Sequence, residues 1–138
     1  MNWKLIFQLS FFGLIMAFAT IWLIPEKIEP VFWLVIAVFC AYTIARVCTA
    51  KYFWNGFMVS VINCIWITAA DMIFCVDYLK THPDRTAANM HLPASLYNHP
   101  REAMLAIAPA SAIVFGLIFG LFAFIASKIV KKNKVQAV

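Results

Sequence analysis

Four apolar runs, separated by short polar breaks, organise the chain of 138 residues. They cover residues 5–24, 31–47, 57–79 and 103–127. Each approaches the roughly 20 residues needed to cross about 30 Å of hydrocarbon. A soluble bundle would alternate apolar stripes with charged faces along each helix. Here the charges gather between the runs instead. The pattern predicts an all-α membrane protein, a single domain over residues 1–138 folded as an antiparallel four-helix transmembrane bundle.

The breaks carry the expected punctuation. Pro25 and Pro30 bracket the first connection, because proline neither continues one helix nor disturbs the first turn of the next. Residues 48–55 read as a basic, aromatic turn, with Gly56 opening the third run. Residues 80–102 read as a polar outer loop holding all three histidines, with Pro83 as a helix stop. Residues 128–138 form a basic tail. On the fourth run Ala108, Ala112, Gly116 and Gly120 recur every fourth position, a small-residue ridge that lets another helix approach closely.

The third run is the one that departs from a plain span. It carries Ser60, Asn63, Thr68, Asp71 and, near its far end, Asp77. At helical spacing Cys64, Thr68, Asp71, Cys75 and Tyr78 share one face. A carboxyl group among lipid tails is costly, so this face is expected to look into the bundle. Asp71 lies about eight residues, or about 12 Å, from the outer end of its run. Ser111 lies about as far into the fourth run, and Pro109 takes the helical donor from the carbonyl of Leu105. The expectation is an outer-leaflet cluster of Thr68, Asp71 and Ser111, either a structural hydrogen bond or a proton- or ligand-binding site, with Asn63 deeper on the same run. Asp77 is within i, i+3 reach of Lys80 and reads as a helix-end ion pair.

Composition agrees with the pattern: 64% of residues are hydrophobic and 12% charged, far outside the soluble average. The formal charge of +5 changes the picture only through its placement. Lys4, Arg46, Lys51, Lys128, Lys131, Lys132 and Lys134 fall on one side, against Lys27, Lys80, Arg85 and Arg101 on the other. The richer side is expected to be cytoplasmic, which puts both termini inside a cytoplasmic or plasma membrane and the histidine loop outside. Basic residues beside a span attract anionic lipid, and a nucleic-acid partner is not expected. Trp3, Trp22, Trp33 and Trp54 mark the two interfaces, whereas Trp66 falls near mid-bilayer.

Chemistry is sparse. Cys40, Cys48, Cys64 and Cys75 form no CxxC pair, and Cys48 alone lies near an interface, where it is placed for acylation. His82, His91 and His99 are candidate metal ligands by type, but no two share a helical spacing. His82-Pro83-Asp84 resembles the loop tripeptide of J-domain cochaperones. That resemblance spans at most six residues and follows a membrane span here, where a J-domain has a soluble basic helix. There is no G-x-S-x-G elbow or glycine-rich phosphate loop, and no cofactor can be assigned. The leading expectation is a non-enzymatic membrane protein: transporter-like, ligand- or lipid-binding, or an accessory subunit, with the bilayer and a homo-oligomer or larger membrane complex as partners. The rival is a membrane-embedded enzyme using Asp71, Asp77 and a loop histidine for acid–base or metal-assisted chemistry.

Overall fold

The computed structural model describes residues 1–83, 93, 96 and 98–130. Among these residues the chain forms five helices: α1 (Trp3–Trp22), α2 (Glu29–Val47), α3 (Tyr52–Ile73), α4 (Cys75–Thr81) and α5 (Pro100–Ile129). All but the short α4 are long and apolar enough to cross a membrane. The basic tail beyond Val130 and most of the histidine loop lie outside the described residues.

Local chemistry sets the helix ends. The Asn2 side chain caps α1 by accepting the Leu5 N–H at 3.2 Å. α1 closes where the Leu23 and Ile24 N–H groups both turn back to the Ala19 carbonyl, just ahead of Pro25. α2 opens on Glu29 and Pro30, the first an acid facing the positive helix end and the second a residue with no N–H to leave unpaired. Lys51 adopts a left-handed conformation (φ 57°) and lets the chain reverse within a few residues between α2 and α3.

Three boundaries differ from the sequence expectation. α3 starts at Tyr52, ahead of Gly56, because Gly56 is an interior packing position. The run 57–79 is divided at Phe74, whose ring lies 4.9 Å from Trp22 and 6.0 Å from Phe18 on α1. α5 begins at Pro100, earlier than the apolar run, since proline suits a first turn and the charges of Arg101 and Glu102 are tolerated at an exposed helix start.

Pairwise contacts fix the helix directions. The Asn2 N–H reaches Asn55 at 3.0 Å and Trp66 reaches Ser10 at 3.4 Å, so α1 and α3 run parallel. Phe57 lies over Gly116 and Phe53 over Gly120, so α3 and α5 run antiparallel. α3 sits between α1 and α5, and α2 packs mainly on α5. Ile6 and Leu9 of α1, Cys40 and Ile44 of α2, Val59 and Ile62 of α3 and Phe119 of α5 form one continuous core. A second cluster, Ala17, Ile21 and Ala70, fills the α1–α3 interface nearer α4.

The small-residue ridge of α5 is the seam with α3. A Cβ on Gly116 or Gly120 would fall 2.8 Å from the ring of Phe57 or Phe53. From the opposite side, a Cβ on Gly56 would fall 2.6 Å from the Phe119 carbonyl oxygen. Glycine on both helices is what allows this close approach.

Candidate functional site

Along α3 and α4, Ile65, Ala69, Ile73 and Val76 are exposed, while Cys64, Thr68, Asp71, Cys75 and Tyr78 are wholly or partly covered. The polar face therefore turns inward, as the cost of a carboxyl group in an apolar medium demands. Asp71 is 8% exposed, in the last turn of α3 beside the Ala17–Ile21–Ala70 cluster. Thr68, one turn earlier, is half-buried.

Ser111 does not share the depth of Asp71. The Phe57–Gly116 and Phe53–Gly120 contacts set the α3–α5 register, and each step up α3 is a step back along α5. Carried upward, that register sets Asp71 level with Glu102 and Ser111 level with Ile62, a mismatch of about 13 Å at 1.5 Å per residue. The Cys75–Leu79 stretch lining one groove with Asn98–Glu102 obeys the same register. Depths counted from the ends of the apolar runs mislead here, because α3 and α4 together overshoot the start of α5. Ser111 is half-exposed, and among the described residues no hydrogen bond joins it to Asp71.

Two asparagines on α3 behave oppositely. Asn55 Oδ1 accepts the Asn2 N–H at 3.0 Å, and its Nδ2 donates to the carbonyls of Lys51 at 2.9 Å and Ala50 at 3.3 Å. It staples the start of α1 to the α2–α3 turn. Asn63 is equally buried, packed on the bare backbone of Gly13, yet neither polar atom of its amide finds a hydrogen-bond partner among the described residues. The indole of Trp66 on α3 is accounted for by Ser10, whose own hydroxyl donates to the Phe7 carbonyl at 2.8 Å.

The histidines do not converge. His99, at the start of α5, lies 3.7 Å from Glu102 with both side chains exposed, and His91 is outside the described residues. His82 is 0% exposed and sits against α2: its Nε2 lies 3.6 Å from Glu29 Oε2, while Glu29 Oε1 accepts the Trp33 indole N–H at 3.0 Å. The imidazole stacks on Tyr78 with ring centroids 4.3 Å apart. Among the described residues no group of three or more His, Cys, Asp or Glu side chains is placed to hold a metal ion.

Asp77 pairs with Lys80 at 3.5 Å on the exposed side of α4, the helix-end pair that the spacing predicts. Cys48 is buried in the core at the end of α2, which corrects the expectation of an accessible acylation site. Pro83 follows the end of α4, and Asp84 of the His-Pro-Asp tripeptide lies outside the described residues.

Sequence reasoning missed Glu29 as the partner of His82. The signal was present: both residues flank prolines at helix ends, and the first and third connections of an antiparallel bundle lie on the same side. Compared with protein-family models, with curated proteins and with solved structures, the chain finds no match in any of the three.

Proposed function

We propose that the chain is a non-enzymatic integral membrane protein that binds a proton or a small polar ligand at the Asp71 face, as a ligand-binding or accessory subunit of the membrane. The observation that carries this reading is the burial of Asp71 on the covered side of α3, opposite a fully apolar exposed side. An acid among apolar helices is costly to bury, and such acids mark proton or ligand pathways. Several further features favour the membrane setting. Ile15, Val35, Ile73 and Val114 are each more than half exposed, as are many other large apolar side chains, a surface that water would penalise and lipid would not. The seven-to-four division of basic residues favours cytoplasmic termini, with α4 and His82 at the outer end.

Binding is favoured over passage through a single copy, because core side chains from all four long helices pack together across the bundle. It is favoured over catalysis because, among the described residues, the imidazole nearest an acid, that of His82, is enclosed. A general acid–base pair must reach substrate.

The experiment compares wild type with Asp71→Asn in lipid nanodiscs. Proton uptake after an acid jump is followed with a pH dye, and co-purifying small molecules are compared by mass spectrometry. Asn keeps the shape of the side chain and removes its proton-binding oxygen. The proposal expects a folded variant that loses one proton-binding equivalent or its co-purified ligand. An unchanged proton count together with an unchanged ligand profile contradicts it.

A further inference from the structure

We infer that the outward face of α1 is the contact surface of a parallel homodimer, in which Gln8 of one copy hydrogen-bonds to Gln8 of a second copy. The inference rests on the membrane setting and stands apart from any role of Asp71. Along α1, Lys4, Gln8, Phe11, Ile15, Phe18 and Trp22 are all exposed. They step by four, three, four, three and four residues, the spacing at which two helices mesh along a shallow left-handed crossing. Leu9, Gly13, Met16 and Thr20 lie on the opposite side of the same helix, buried in the bundle.

Of the three amide side chains on the long helices, Asn55 and Asn63 are buried and Gln8 is exposed. Among the described residues no hydrogen bond reaches the Gln8 side chain. It lies one helical turn, about 6 Å, further in than Lys4, the cation at the water end of the helix. At that depth hydrocarbon offers the amide neither a donor nor an acceptor, and leaving both unmet is costly.

A second copy supplies both. A primary amide carries an NH2 donor and a carbonyl acceptor. A two-fold axis along the membrane normal brings two α1 helices together in parallel, with each residue of the seam opposite itself. Each Gln8 then donates an N–H to the side-chain carbonyl of the other, two bonds from one residue type. Phe11 and Ile15, each more than half exposed, supply the apolar contact beside them. Phe18 and Trp22 already lean on Phe74 of their own copy, with ring centroids 6.0 and 4.9 Å away, so the contact centres on Gln8, Phe11 and Ile15. The two Lys4 side chains reach outward to the head groups, where their like charges need not meet.

The other outward faces lack this signal. On α5, Val114, Leu117, Leu121 and Phe124 are as exposed, but they are wholly apolar, and lipid tails cover such a face as well as a second helix does. On α2 the exposed Tyr42 is engaged by Arg46 of the same helix, whose guanidinium lies 5.7 Å from the ring centroid. Interhelical hydrogen bonds favour a neighbouring helix over lipid, and Gln8 is placed to make them.

Fluorescent-protein pairs fused to the C-terminus report association by energy transfer as phosphatidylcholine vesicles holding the protein are diluted with more lipid. Wild type should keep transferring energy at dilutions where Gln8→Leu has separated, with dimerisation weakened about fivefold to thirtyfold by the lost bonds. Gln8→Asn, which keeps an amide, should retain more of the dimer than Gln8→Leu. Oxidative cross-linking in a background without Cys40, Cys48, Cys64 and Cys75 locates the face. Phe11→Cys and Ile15→Cys should join two copies, and Leu121→Cys should not. The energy-transfer measurement keeps the native cysteines, so it decides the matter even if the cysteine-free background fails to fold. Wild type that is monomeric at every dilution overturns the inference. So does a dimer that Gln8→Leu leaves unchanged, or one that cross-links through Leu121→Cys alone. None of these results bears on Asp71.

Discussion

Asn55 and Asn63 are nearly identical by residue type, helix and burial, and they should respond differently to the same change. Asn55→Ala removes the acceptor of the Asn2 N–H and one of the two donors to the Lys51 carbonyl, which keeps the backbone N–H of residue 55. Each such hydrogen bond contributes about 0.5–1.5 kcal/mol net, so a clear drop in thermal stability in detergent is expected. Asn63→Leu removes an amide that has no partner among the described residues and replaces it with an apolar group of similar size. It should leave stability unchanged or raise it. A loss for Asn63→Leu as large as that for Asn55→Ala would mean that the Asn63 amide is satisfied in the membrane. The sequence exposed both residues as polar positions within or next to a span, but not which was satisfied. That depended on how closely the start of α1 approaches the α2–α3 turn.

At the scale of elements, the α3–α5 seam was the most legible feature, because a small residue at every fourth position has few other uses in a span. Its counterpart on α3 was not legible: Gly56 read as a helix start because glycine so often marks one, whereas its place is against the Phe119 carbonyl. The two sides of the seam should differ in severity. Gly56→Ala forces backbone apart at the Phe119 carbonyl, while Gly116→Ala meets a ring that has some freedom to turn. Gly56→Ala should therefore be the more destabilising, by an amount in the overpacking range of about 1–3 kcal/mol, as read from thermal melts in detergent. Equal and negligible effects from both would mean that the seam is looser than the structure has it. The pairing of Asp71 with Ser111 failed at this same scale. Apolar-run ends are set by composition, whereas depth in the bundle is set by the Phe–Gly register.

For the whole molecule, the four long helices and their directions followed from the spacing of the apolar runs alone, because span length and proline placement leave few alternatives. The Glu29–His82 pair did not, since it joins residues from two separate connections. The account as a whole rests on an apolar exterior facing lipid and an acid held inside. Spin-label accessibility on α3 tests both together, with single labels at Ile65, Ile73 and Asp71 in a cysteine-free background, each exposed in turn to oxygen and to a water-soluble relaxing agent. Ile65 and Ile73, at 60% and 68% exposure, should collide freely with lipid-dissolved oxygen and hardly at all with the aqueous agent. Asp71→Cys should be shielded from both. Strong aqueous collisions at Ile65 and Ile73, or oxygen collisions at position 71 equal to theirs, would contradict the account.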